Sequence, residues 1–330
     1  MPLSLRRGTV TAVVEVVEGL ARIEVDGVAC IAYPELTGPV EPGDEVIVNV
    51  QARELELGSG GFDVLYANLT RGLDFPPERG AHVMKLPYTP LQFATRHGEE
   101  DTAPADPPVL EGVPVVACSL HSQVAPACAA LRGLRVAYVQ VPGGALPLAL
   151  SDAVRELRGA GLVELTVAAG ASFGGDVDTV NVFSALAVAR ARGADVVVGG
   201  IGPGVVGTGT LLGHGGLAAA ETLGAARALG GVPVLAVRIS EHDPRERHRG
   251  LSHHTLAVLS LHDGSYEVAW PHGCPIGAPV PDRTIEVDVS EWREACEGLA
   301  LEHMGRGPDD DPWFFAAAFA AGKLAQQLVR

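Results

Sequence analysis

The chain has 330 residues, five cysteines and a formal net charge of −16. That length supplies two domains with a sizeable core, and the charge speaks against a nucleic-acid backbone or an anionic membrane as the main partner. An odd number of cysteines without CxxC spacing fits a reducing cytoplasm better than a disulfide framework.

The first 70 residues read as short strands separated by turns. Thr9–Val17 and Leu20–Val25 join at Glu18-Gly19, and the next strand, 28–33, follows Asp26-Gly27. Glu45–Val50 and Phe62–Asn68 come next, the second after a Gly58–Gly61 turn. This spacing predicts a small antiparallel barrel, residues 1–70. Residues 71–110 read as a crossing segment and linker: His82, Lys85, Tyr88 and Gln92 are polar points in an apolar stretch, and HGEEDTAPADPP (97–108) is acidic and proline-rich. Lys85 is one of two lysines in an arginine-rich chain, which marks it as a candidate ligand-binding residue.

From residue 111 strands and helices alternate, the pattern of a mostly parallel sheet with helices on both faces. Expected strands are Val113–Cys118, Arg135–Val139, Leu162–Val167, Ala194–Val198 and Val232–Ile239, with helices at Gln123–Leu131, Leu148–Gly159, Val177–Arg192 and Leu217–Leu229. Thr255–Leu261 and Ser265–Trp270 read as an edge hairpin around His262-Asp263-Gly264, followed by helices at Glu291–Met304 and Pro312–Leu328. Val196–Ala220 contains no Asp, Glu, Lys or Arg, but its glycines, Pro203 and His214 divide it into strand, loop and helix rather than a membrane span.

Polar signatures follow the strands, where open α/β sheets bind ligands. His121 follows the first strand and Gly174-Gly175-Asp176 the third. The fourth is followed by Gly202-Pro-Gly204-Val-Val-Gly207-Thr208-Gly209-Thr210, a glycine loop leading to a helix, where backbone N–H groups and the helix dipole favour an anion. Its G-x-G-x-x-G spacing is weak evidence for NAD(P), because no acid follows about twenty residues on at the end of the next strand. The alternative is a turn that only lets a helix pack on the sheet.

Arg238 to His254 holds four histidines and a cluster of arginines in an acidic protein. Arginines suit bidentate capture of phosphate or carboxylate. Histidine with carboxylate could instead hold a metal, which the arginines would repel; a solvated charged loop is the third option. On a strand, His253 and His254 would face opposite sides, so one of them is expected in the site. Asp176 is either a helix N-cap or a carboxylate that orients a histidine.

The segments MKLPYTPLQ (84–92), HSQ (121–123), FGGD (173–176), GPGVVGTGT (202–210), RERHRGLSHHT (245–255) and MGR (304–306) together resemble an uncharacterised bacterial family of the domain-of-unknown-function type. Such a family has a Thr-Asp-Gly segment after the second strand, where this chain has Gln140-Val-Pro-Gly143, so any role for that acid is lost here. The resemblance implies no activity.

The expectation is a cytoplasmic enzyme acting on a small phosphorylated or nucleotide-like anion. Gly202, Gly204, Gly207, Thr208, Gly209 and Thr210 would cradle it; Arg238, Arg245, Arg247, Lys85 and His121 would bind it. His253 or His248 would move protons, oriented by Asp176 or Asp243. The cofactor is undefined, with a divalent cation an option but no metal-ligand set singled out. A non-catalytic ligand sensor or assembly protein using the same cleft, and an NAD(P) oxidoreductase, are the alternatives. Trp313, Phe314, Phe315 and Phe319 exceed what one helix face usually buries, which predicts a homodimer.

Overall fold

The computed structural model describes residues 3–56, 61–71, 76, 78–102, 109–261, 266–278 and 283–329. Two compact units divide the chain, Met1–Thr95 and Arg96–Arg330. In the first, β1 (Leu5–Val17), β2 (Leu20–Val25), β3 (Val28–Ala32), β4 (Glu45–Asn49) and β5 (Asp63–Asn68) close a barrel in the order β1-β2-β3-β5-β4. Alternation supplies its core: Val46 and Val48 of β4 turn inward beside Val10, Ile23, Val25, Cys30 and Leu65. The β2–β3 hairpin turns on Asp26 (φ 49°) and Gly27 (φ 76°), the two left-handed residues a tight primed turn needs. A separate ribbon, β6 (Val83–Lys85) with β7 (Phe93–Thr95), ends this unit, so Lys85 belongs to it.

The expected linker is partly structured. Gly98–Asp101 forms a helical turn packed in the second unit against a strand at Val177–Thr179 and a helix at Val182–Ala191. Residues 58–60 of the expected glycine turn, 103–108 of the linker and the His262-Asp263-Gly264 turn lie outside the described residues.

The second unit is built on eight parallel strands: β8 (Pro114–Cys118), β9 (Val136–Val141), β10 (Leu165–Ala169), β11 (Val177–Thr179), β12 (Val196–Ile201), β13 (Val232–Ala236), β16 (Glu267–Pro271) and β17 (Thr284–Val287). The short pair β14 (Ile239–Ser240) and β15 (Gly250–Leu251) lies outside it. The sheet order is β11-β10-β9-β12-β8-β13-β16-β17. Every residue of β8, β9 and β12 is buried, which is why these segments read as continuous apolar runs rather than alternating ones. On one face, Val116, Cys118 and Tyr138 pack with α1 (Val124–Ala129), α2 (Asp152–Gly159) and α6 (Pro312–Leu328). On the other, Val115, Ala137 and Val139 pack with α3 (Val182–Ala191) and α4 (Ala218–Ala228), while Ala117 and Leu235 pack with α4 and α5 (His253–Leu261).

Starting at β8, the chain moves outward through β9, β10 and β11, returns to insert β12 between β9 and β8, then crosses to β13. Loops leaving β9 and β12 thus run in opposite directions at the middle of the sheet, a switch point where such folds open a crevice.

Three expected elements change. Thr255–Leu261 is helix, and Glu267–Pro271 is a strand parallel to β13, so there is no edge hairpin; Ala257 and Val258 are the buried apolar residues of that helix, and Leu256 and Leu261 are exposed. The expected helix over 291–304 shrinks to one turn, Trp292–Ala295. Val177–Thr179, placed at the start of a helix by sequence, is edge strand β11.

Helix α6 is apolar on nearly all sides because it is enclosed. Phe314, Phe315 and Phe319 are buried within the chain, as are Ala316–Ala318. Of the four aromatics that suggested a homodimer, these three phenylalanines are absorbed in the core, while Trp313 is half-buried. Among the described residues no helix is long and apolar enough to cross a membrane.

Close approach of α6 to α1 depends on Gly322, whose missing Cβ leaves room for the Ala127 carbonyl. In an exposed helix Gly→Ala gains about 1 kcal/mol. Here Gly322→Ala is expected to destabilise instead, by about 1–3 kcal/mol, because the obstacle is backbone and cannot rotate away. A urea midpoint equal to or above that of the parent would show that the two helices can move apart freely.

Candidate functional site

The site grows from the carboxyl end of β13. Arg238 N–H donates to Thr255 Oγ1 (2.8 Å) and its carbonyl accepts from Ser252 N–H (2.9 Å). Pairing of β14 with β15 closes the excursion 241–249 and returns the chain beside Arg238 as α5 begins. Ser252 Oγ accepts the His254 N–H (3.2 Å) and lies 2.7 Å from His248 Nδ1. His253 and His254 open α5 rather than sit on a strand. Neighbours on a helix are about 100° apart, not opposed, so both enter the cluster.

A fourth ring comes from the loop after β12, where Gly207 bridges His214 in a tight hairpin. His214 stacks on His254 with centroids 3.9 Å apart, and His253 meets the faces or edges of His214, His248 and His254 at 5.2, 4.7 and 4.5 Å. One ring nitrogen each of His214, His253 and His254 falls within 4.8 Å of the others. His214 is buried, yet neither of its ring nitrogens makes a hydrogen bond among the described residues.

Beside the rings lies an ion network around Asp243, which is fully buried. Arg245 grips it in bidentate fashion, Nε to Oδ1 and Nη2 to Oδ2, both 2.9 Å; Arg306 Nη2 (3.1 Å) and Arg238 Nη2 (3.3 Å) share Oδ2. A second buried carboxylate, Asp311 at the N-terminus of α6, accepts from Ser240 Oγ, Glu241 N–H and Arg306 Nε. Arg238 is 1% exposed. It also reaches His254 Nδ1 (3.2 Å) and His303 Nε2 (3.4 Å), and its Nε–H has no partner among the described residues. His303 in turn stacks on Phe314 at 3.8 Å and meets Ser122 Oγ through Nδ1 (3.1 Å).

Burial, then the charge of Arg238, pushes His254 down to about 2 and His303 to about 3; burial with Arg238 and Arg245 takes His248 to about 3. His214 and His253 are lowered too, burial first, although the nearby Leu211 backbone opposes the shift at His214. All these rings are neutral at pH 7. Burial opposes the charge of Asp243, but the arginine hydrogen bonds outweigh it and hold the carboxyl well below its usual range. Arg238 falls to about 9, chiefly through burial, and stays charged.

Of the residues singled out by sequence, His248, His253, Asp243, Arg238 and Arg245 come together here. Asp243 pairs with arginines, not with a histidine as expected, and Arg245 is committed to it. Arg247 is exposed on the same excursion, close enough for its charge to lower His253. Asp176 is elsewhere: its carboxylate takes Arg158 Nη1 (2.7 Å) together with the N–H and hydroxyl of Thr166 near the start of β10, a structural clamp. His121 sits at the switch point, Nδ1 on the Ile201 carbonyl (3.0 Å) and Nε2 on Ser151 Oγ (2.7 Å). Sequence reasoning passed over His214 and His303, and admitted only one of His253 and His254. The adjacent His253-His254 pair was the available signal, lost by reading that segment as strand.

Part of the glycine loop's backbone is engaged in packing. The N–H groups of Ala145, Val206, Thr208 and Gly215 go to the carbonyls of Pro203, Gly143, Gly213 and Val206. Gly202 fits under the Ala145 carbonyl and Gly215 under that of Gly143, while a Cβ on Gly207 would lie 2.9 Å from His214 Cβ. Thr208 and Thr210 hydroxyls bond each other (2.9 Å). Of the loop glycines, Gly204 has positive φ (69°) and Gly209 faces open space. The helix proper starts only at Ala218, beyond the hairpin, so the loop does not lead straight into a helix N-terminus.

Fold and site together define an α/β protein whose parallel sheet gathers histidines and arginines at the carboxyl ends of its central strands. The chain belongs to a family described as protein of unknown function (DUF3866), whose model matches residues 29–322 and so spans both units. No curated protein matches it.

The neutral rings make a pH prediction. Unfolded histidines titrate near 6.5, whereas His121 (about 4), His248, His254 and His303 (about 2 to 3) stay neutral in the fold. Below about 6.5 the unfolded chain therefore binds more protons, and each such ring withdraws up to about 1.4 kcal/mol of stability per pH unit. Paired carboxylates such as Asp243 act only below about 4, outside this window. The urea midpoint is expected to be level between about pH 7 and 8, below the range in which unfolded cysteines ionise, and to fall steeply between about pH 6.5 and 5. A flat profile there would mean that the rings protonate without unfolding.

Proposed function

We propose that the chain is an enzyme that takes a small anionic substrate, phosphorylated or carboxylated, at the carboxyl ends of β12 and β13. The observation that carries this reading is Arg238: a buried, charged guanidinium whose Nε–H has no partner among the described residues. An orphaned charged donor costs about 1–3 kcal/mol or more unless an acceptor arrives. Asp243 and Asp311 face Arg238, Arg245 and Arg306, so the inner network carries one positive charge more than it neutralises.

Arg247, exposed on the same excursion, is the arginine left to clamp the ligand's outer oxygens. Arg245, locked on Asp243, shapes the loop instead of gripping ligand. The histidines supply neutral N–H donors and lone pairs. His253, half-exposed, presents a lone pair to the site, and its lowered pKa keeps the ring neutral at neutral pH.

The test is thermal stabilisation of the full chain by phosphate, pyrophosphate, nucleoside phosphates and di- or tricarboxylates at up to about 10 mM. At least one class should raise the melting temperature, and Arg247→Ala should weaken that ligand roughly ten- to a hundredfold while leaving the unliganded melting temperature unchanged. Failure of every anion class, or equal affinity in Arg247→Ala, would overturn the reading.

A further inference from the structure

We propose that His214, His253 and His254 form a binding site for one divalent transition-metal ion of the zinc or cobalt type; the inference rests on the reading of this cleft as the reaction site. The three rings come from two loops fixed by adjacent parts of the fold, the hairpin after β12 and the first turn of α5. Their nearest nitrogens already lie within 4.8 Å of one another. Metal–imidazole bonds of about 2.0–2.1 Å put the nitrogens of a tetrahedral site roughly 3.3 Å apart, so the ion would draw the rings together and turn one of the stacked pair His214 and His254 out of its parallel arrangement, since both lone pairs lie in their ring planes.

One observation points to a ligand, and the donor chemistry fits it. His214 is buried and, although the Leu211 backbone lies close enough to act on it, neither ring nitrogen makes a hydrogen bond of normal geometry among the described residues, a cost that coordination of one nitrogen would remove. All three donors are imidazoles, a set that suits zinc, copper, nickel or iron and not magnesium or calcium, which require oxygen. Three protein ligands leave a coordination position open, as catalytic rather than structural sites do. An oxygen of the anionic substrate would fit that position and offset the charge of Arg238.

Arg238 gives the site a distinctive behaviour. A guanidinium can only donate, so at 3.2 Å it must donate to a lone pair on His254 Nδ1, leaving the ring hydrogen on Nε2. If the ion binds Nδ1, it displaces the guanidinium. If it binds Nε2, the ring hydrogen moves to Nδ1 and faces the guanidinium N–H. Either way, metal binding breaks the Arg238–His254 hydrogen bond. Arg238→Lys, with a slimmer and more mobile cation, should therefore tighten the metal while weakening the anion.

The full chain, stripped with a chelator, is titrated with Zn²⁺ by calorimetry and with Co²⁺ by visible absorption. One ion per chain is expected, with cobalt bands of four- or five-coordinate intensity. His214→Ala and the half-exposed His253→Ala should each lose about a hundredfold or more in affinity, with metal-free melting curves establishing that both variants fold. Absence of uptake by the parent chain, or parent-like uptake by folded His214→Ala and His253→Ala, would overturn the site. Phosphate stabilisation in the metal-free chain is read separately. Its persistence without metal uptake rejects the metal alone, and metal uptake without any anion effect rejects the anion reading alone.

Discussion

The buried carboxylate of Asp243 is what the architecture of this cleft depends on. It lies in an excursion between two residue pairs of backbone ladder, and three guanidinium groups converge on it from different segments: Arg238 at the end of β13, Arg245 in the excursion, and Arg306 from the stretch before α6. Burying such a charge is tolerable only because it is multiply paired; removing a partner from a buried pair typically costs about 3–5 kcal/mol. The same contacts fix Arg238, and Arg238 fixes the orientation of His254 and His303. One carboxylate thus organises the sheet edge, the start of α5 and the approach to α6.

Helix α6 closes this arrangement from the other side. Its N-terminal Asp311 holds Ser240 and Arg306, and Phe314 stacks flat on His303. The helix that fills the core under the sheet therefore also supports the polar cluster at the sheet's edge. Small residues make this workable: Gly322 and the alanines of α6 bring it against α1, while the large aromatics fill the volume above β8 and β13.

Glycine density proved an ambiguous signal for a physical reason. A glycine lets a backbone approach either a ligand or another backbone, and composition does not distinguish the two. At Gly143, Gly144, Gly202 and Gly215 the approaching group is a carbonyl of the neighbouring strand-end loop. Loop meets loop there, which positions His214 at the base of its hairpin. In the charged excursion the signal is side chains, and arginine and histidine are costly to bury unless they are paired.

The local pattern of the sequence determined the five-stranded barrel, the order of parallel strands and helices from β8 to β13, and the long final helix. Each rests on local periodicity: alternation in Glu45–Asn49, unbroken apolar runs in β8, β9 and β12, and a proline-started alanine-rich helix at Pro312. It also singled out Arg238–His254, beside the glycine loop, as a candidate site. Only tertiary structure decided which polar residues meet. His214 and His303 lie far along the chain from Arg238, and Asp176, placed after a sheet strand like the others, turned back to Arg158 and Thr166. Side-chain convergence depends on sheet order and loop paths, which are set by long-range packing and leave no periodic trace in the sequence.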